Sequence, residues 1–206
     1  MQQESGRRSN RDRTEATRAD LIGAARKLFT EKSYAETGTP EIVAAAGVTR
    51  GALYHHFADK QALFAAVVEQ EAAAVAAEID RASPSTLSAR DALIAGSDAY
   101  LAAMRAPGRT RLLLIDGPAV LGRAGMDAID DRHGNRSLRE GLVAAMRVQS
   151  MTRLPVEALT ALLAAAFDRA ALAIEAGGSA ADYRAVLMAL IDGLAPARSP
   201  DPAQVR

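Results

Sequence analysis

The stretch Thr39–Phe57, TPEIVAAAGVTRGALYHHF, constrains this chain more than any other. It is two short helical runs around one glycine. Thr39 is an N-cap candidate, and Pro40 suits the first helical position, where a missing N–H is no loss. Ile42, Val43 and Ala46 form one apolar face. Gly47 falls where the chain must turn through a left-handed backbone, which glycine adopts most cheaply. Thr49 can cap again, and Leu53 and Phe57 give the second run an inner side. The pattern predicts a helix-turn-helix: a supporting helix, a tight turn and a second helix free to project. The outer face of that second helix carries Thr49, Arg50, Gly51, Ala52, Tyr54, His55 and His56, with Lys60 just beyond. Two small residues permit close approach to a surface, and the polar groups around them can reach phosphates or base edges. A helix pair with a merely solvated polar face has the same pattern.

A wider set of residues breaks that tie. Leu28-Phe29, Tyr34, Ile42, Ala45-Ala46-Gly47-Val48, Gly51-Ala52-Leu53-Tyr54-His55-His56-Phe57, Lys60 and Leu63 resemble, in order and spacing, the DNA-binding domain of the TetR (tetracycline repressor) family. The resemblance implies a dimeric, all-helical, ligand-responsive transcriptional regulator. Carried over by position, it places the DNA-contact surface on Thr39, Thr49, Arg50, Gly51, Ala52, Tyr54, His56 and Lys60. Thr39 and Lys60 would touch phosphates, Tyr54 a phosphate or a thymine methyl, and Arg50 a base edge. Thr39-Pro40-Glu41 departs from the commoner family wording at this point.

Composition is consistent with an all-α chain. Hydrophobic residues make up 49% and aromatics 4% of 206 residues, with much alanine, the best helix former. The chain has no cysteine, so disulfides and thiolate metal sites are excluded. No apolar run reaches membrane-spanning length, and the arginine-rich N-terminus lacks the apolar core of a secretory signal. A cytoplasmic protein with no membrane partner is expected. Net charge is zero; residues 1–60 carry +2 and the remainder −2, too weak a bias to infer DNA binding from charge alone.

Along the chain, residues 1–13 carry Arg7, Arg8, Arg11 and Arg13 without apolar periodicity, and read as a disordered basic arm. Residues 14–74 are expected to form the DNA-binding domain, with the helix-turn-helix at 37–56. Its first helix, Thr14 to Lys32, has an apolar stripe of Leu21, Ile22, Ala25, Leu28 and Phe29. A helix capped by Asp59 and running to Arg81 links this domain mechanically to a regulatory domain, 75–195. There Ser88 with Asp91 and Ser179 with Asp182 have the spacing of capping boxes. Asp116-Gly117-Pro118 is expected to end one helix and start another, with Asp116 as N-cap. A helix is expected from Pro155 to Gly177, and a tail rich in Pro, Ser and Asp, 196–206, reads as disordered. In all, about nine to ten helices are expected, with no strands.

The final two helices carry wide apolar faces: Leu159, Leu162, Leu163, Ala166, Phe167, Ala170 and Ile174 on one, Leu187, Leu190 and Ile191 on the other. The resemblance implies that this hairpin meets its twin in a four-helix dimer interface; the stripes alone fit an internal core equally. Met104, Leu112, Met126, Met146 and Phe167 suit an adaptable, largely apolar effector pocket, in which Asp116, Arg123, His133 and Arg147 can orient a bound molecule; methionines that merely fill the core fit the same pattern. The partners implied are double-stranded operator DNA, an unidentified small-molecule effector and a second copy of the chain. No cofactor is expected. His55 and His56 are adjacent and point about 100° apart on a helix, so they cannot share a metal. No nucleophile elbow, P-loop or dinucleotide fingerprint is present, so an enzyme is not expected. The rival reading is a ligand-binding or protein-interaction module that no longer reads DNA.

Overall fold

In a computed structural model the backbone is described for residues 3–195 and side chains from Asp12 onward. The expected tail, 196–206, lies outside the described residues. The described chain is all-helical, with α1 (Gln3–Lys32), α2 (Thr39–Ala45), α3 (Arg50–His56), α4 (Lys60–Ala82), α5 (Ala89–Ala103), α6 (Arg109–Arg111), α7 (Gly117–Arg132), α8 (Gly134–Arg147), α9 (Val156–Glu175) and α10 (Ala180–Asp192). A five-residue π-helical turn, Leu112–Asp116, joins α6 to α7.

Helix α1 begins at Gln3, so the segment expected as a disordered arm is helical from there. Its Gln, Glu and Arg residues are good helix formers, and the lone Gly6 is a weak breaker. Two other sequence expectations give way near Asp116. That residue is no N-cap: the helix runs through it, and the Gly117 N–H reaches five residues back to the Leu112 carbonyl. Pro118 lacks the N–H that a regular α-turn needs, and the wider turn absorbs the mismatch. The break falls later, at Gly122, whose φ of 71° and ψ of 170° lie outside any helix.

The chain divides into two compact units. The first joins the described residues up to Ala74 with Ala106–Ile129; the second joins Val75–Arg105 with the described residues from Asp130 on. Residues 106–129, expected within the regulatory domain, therefore cluster with the helix-turn-helix. Helix α4 contributes residues to both units.

The core of the first unit is Leu21, Ala25, Phe29, Ile42, Leu53, Leu63, Phe64, Val67 and Val68, all fully buried or nearly so. Phe29, Tyr34 and Phe64 pack with centroids 4.9–5.6 Å apart, Phe64 edge-on to each of the other two rings. A buried ion triad closes the unit. Glu71 of α4 accepts from Arg26 Nε of α1 at 2.6 Å and from Arg109 Nε of α6 at 2.8 Å. Just before Arg109, Gly108 takes a φ of +74°, and a side chain there would collide with Thr30 of α1.

The core of the second unit joins Leu93 of α5, Leu142 and Ala145 of α8, Met151, Leu163, Phe167 and Ala170 of α9, and Leu187 and Ile191 of α10. Bonds between Arg184 and Asp98, Arg90 and Asp192, and Arg136 and Asp80, each 2.6–2.8 Å at the closest, lie around it.

Candidate nucleic-acid interface

The turn that presents α3 follows from its sequence. Gly47 takes a φ of +65°. The Val48 N–H then reaches the Val43 carbonyl and the Gly47 N–H the Ala44 carbonyl, at 3.0 and 3.2 Å, satisfying the last carbonyls of α2. Thr49 is the N-cap of α3, its hydroxyl accepting from the Ala52 N–H at 3.1 Å. Leu53 and Phe57 point into the core. Arg50, Gly51, Tyr54 and His55 are exposed, and Ala52 and His56 half-buried.

On that outer face Arg50 sits over the Tyr54 ring, 5.5 Å from its centroid. Hydrogen bonds with Thr39 and then with Arg50 hold the Tyr54 phenol below the ordinary tyrosine range. Thr39, Arg50 and Tyr54 thus form one connected polar edge across α2 and α3. Thr39 is not the N-cap of α2. Gly38 is, with Thr39 and Pro40 as the first two helical residues. Thr39 makes no side-chain cap bond, and the Glu41 carboxylate instead accepts from the Gly38 N–H at 3.5 Å. The Lys32 ammonium, 2.6 Å away, then that backbone bond, hold Glu41 below the usual carboxylate range.

Lys60 departs from its expected role. Its ammonium donates to the carbonyls of Tyr34 and Thr37, at 2.9 and 3.0 Å, and lies 4.1 Å from the Tyr34 ring centroid. It fastens the α1–α2 loop to the start of α4, leaving one N–H for any phosphate. His55 and His56 stack edge to face at 5.3 Å. Burial, then the neighbouring His55 and Arg18, lower the His56 pKa. Arg18 of α1, 5.1 Å from the Phe57 ring centroid, adds a cation beside this face that no sequence signal singled out.

The effector candidates are divided between the two units. Leu112, Asp116 and Met126 belong to the first unit, and Met104, His133, Met146 and Phe167 to the second. Asp116 Oδ2 lies 3.3 Å from Arg111 Nε. Met104, Leu112, Met126 and Phe167 are buried core residues. Sequence reasoning missed a half-buried polar pair of the second unit, the Tyr100 hydroxyl of α5 donating to Asp168 of α9 at 2.6 Å.

Among the dimer candidates, Leu163, Phe167, Ala170, Leu187 and Ile191 are buried in the core of their own unit. Leu159, Ala166 and Ile174 are half-buried. Leu162 and Leu190 are exposed, at 72% and 49%, together with Val186 at 59%.

Known proteins match both parts of the chain. A family model described as bacterial regulatory proteins, tetR family, matches residues 21–67, and a tetracyclin repressor-like C-terminal domain model matches residues 90–196. The HTH-type transcriptional regulator AcrR of Shigella flexneri is 40% identical over 62 residues, 30% of this chain and 29% of that protein. The HTH-type transcriptional repressor Rv1474c of Mycobacterium tuberculosis is 36% identical over 70 residues, 34% of this chain and 37% of that protein. The chain thus matches less than two fifths of the length of these curated relatives. A TetR-family transcriptional regulator from Pectobacterium atrosepticum superposes with a TM-score of 0.74 at 35% identity, covering 90% of this chain and 97% of that one.

Proposed function

The chain belongs to the TetR family of transcriptional regulators, which bind DNA through a helix-turn-helix, and from that premise we propose a homodimeric repressor that a small-molecule effector releases from a palindromic operator. The observation that carries the reading is the pair Arg50 and Tyr54, exposed beside Thr39 of α2 on a helix whose start is fixed by Thr49 and whose entry is fixed by Gly47. A guanidinium braced on a ring can present two donors to a guanine edge, while hydroxyls beside it take phosphate oxygens. Two such helices related by a two-fold axis read an inverted repeat. The exposed Leu162, Val186 and Leu190 supply the apolar face on which a second copy can pack. Release requires that the effector bind better to the conformation with mis-spaced α3 helices, and α4, with residues in both units, is the element that can carry that bias.

Fluorescence anisotropy with DNA from the chain's own upstream region tests this. Affinity should fall steeply with salt and depend on an inverted repeat. Binding that is indifferent to sequence and salt would favour an interaction module instead.

A further inference from the structure

The second unit contains a carboxylate that its own fold leaves half-served. Asp168, on the inner side of α9, accepts one hydrogen bond, from the Tyr100 hydroxyl of α5 at 2.6 Å, and that is its partner among the described residues. No lysine, arginine or histidine pairs with it. Burial raises its pKa above the usual carboxylate range, and the Tyr100 bond only partly offsets this. The Tyr100 phenol is pushed well up, by burial first and then by the charge of Asp168, its bond to Asp168 and the charge of Asp130. Two carboxylates therefore bear on one phenol. Asp168 is half-buried, and a partly desolvated anion is costly unless hydrogen-bonded and paired, whereas an apolar residue at 168 would simply extend the alanine-rich face of α9.

The surroundings suit an organic cation. The Phe167 ring stands edge-on to Tyr100 at 5.7 Å between centroids, so the phenol that bonds the carboxylate is itself backed by a second ring. The nearest turns of both helices are small: Ala164 and Ala171 flank Asp168, and Gly96 and Ala103 flank Tyr100. We propose that Asp168, with Tyr100 and Phe167, is the anchor for the effector, and that the effector is a protonated lipophilic amine. Its N–H donates to the Asp168 oxygen that Tyr100 does not occupy, and its apolar body lies along the rings. This rests on the ligand-responsive reading above and specifies its ligand class.

Calorimetry on the full chain with phenylbutylamine, phenylbutanol and phenylbutyrate, one body with cationic, neutral and anionic heads, tests it. The amine should bind about tenfold or more tightly than the alcohol, the difference expected of a charge-assisted hydrogen bond, and the butyrate weakest. Asp168→Asn, nearly isosteric and still able to accept from Tyr100, should erase the amine's advantage over the alcohol. Tyr100→Phe should keep the preference for the amine, since the carboxylate remains. Equal binding of the three probes, binding of none, or an undiminished amine preference in a folded Asp168→Asn protein overturns the assignment. An amine that binds at Asp168 but leaves operator affinity unchanged overturns the effector reading and leaves the amine site standing.

Discussion

At the residue scale, the face proposed to read DNA has side chains that brace one another. Arg50 leans over Tyr54, and Tyr54 is tied to Thr39, so the aim of the guanidinium depends on a ring one turn away. Arg50→Ala should cost about 1–3 kcal/mol of operator affinity and relax preference at one or two base pairs in a randomised-operator selection. Tyr54→Ala should relax the same positions, and the double variant should lose less than the sum, because both changes remove one braced unit. Strict additivity would mean that Arg50 holds its aim unaided. Lys60 belongs to a different class. With two of its three N–H groups on the Tyr34 and Thr37 carbonyls, Lys60→Met should cost about 1–3 kcal/mol in a urea melt and leave the salt slope of DNA binding nearly unchanged. A drop of about one unit in that slope, with stability intact, would restore it as a phosphate contact. The contrast marks how far the site was legible in sequence. Gly47, the Thr49 cap and the inward Leu53 and Phe57 are set by residues within a few positions of one another. The partner of a hydroxyl or an ammonium is set by tertiary neighbours: Thr39 bonds across to α3, Lys60 to a loop 23 and 26 residues upstream, and Tyr100 to Asp168 68 residues away. No spacing rule reaches that far.

At the scale of elements, most helices were legible because their caps and apolar stripes are local. Asp59, Ser88 and Ser179 each accept a backbone N–H three residues on, at 2.7, 3.1 and 3.3 Å. The stretch from Arg109 to Gly122 was not legible. Glycine and proline there suggested a stop at Asp116, whereas a π-helical turn carries the chain through and Gly122 makes the break. The triad at its start was also invisible, since Arg26, Glu71 and Arg109 share no local pattern. Glu71 is 5% exposed and Arg109 8%, so the charges are largely desolvated, and removing one partner strands the others. Glu71→Gln should destabilise the protein by about 3–5 kcal/mol at neutral pH. The pH dependence follows from the sign of the shift. Burial pushes Glu71 up, but the bonds from Arg26 and Arg109 prevail, and its folded pKa lies below the ordinary value. Its contribution is therefore present above the unfolded glutamate pKa, about 4.3, and is lost as pH falls through the lower folded value. Urea melts across acid pH should show the gap between wild type and Glu71→Gln closing in that window. A gap that persists unchanged to the acid limit would mean that the triad's charge contributes nothing.

At the scale of the whole molecule, the question is which apolar residues face a second copy. The stripes of α9 and α10 are wider than one packing face needs. Periodicity identifies such faces without saying which side turns inward, because a core and a dimer seam ask for the same residues at the same spacing. The fold separates them. Phe167, Leu163 and Leu187 close their own unit, whereas Leu162, Val186 and Leu190 stay outside at 72, 59 and 49% exposure. Large apolar side chains left out of the core on adjacent elements are where association is expected. Substitutions on the two sides should consequently fail differently. Leu162→Asp, alone or with Leu190→Asp, should give a folded monomer, with helical circular dichroism and melting point close to wild type, because the charge sits in water once the partner leaves. Operator affinity should fall with it, since a monomer presents one α3 helix to one half-site and forfeits the other. Phe167→Asp should instead lower stability by at least about 3–5 kcal/mol and lose helicity, from the lost ring and the buried charge. Sedimentation at micromolar concentration reads the outcome. A Leu162→Asp, Leu190→Asp protein that still sediments as a dimer would place the interface elsewhere, and a wild-type monomer that binds a single half-site at full affinity would remove the need for one.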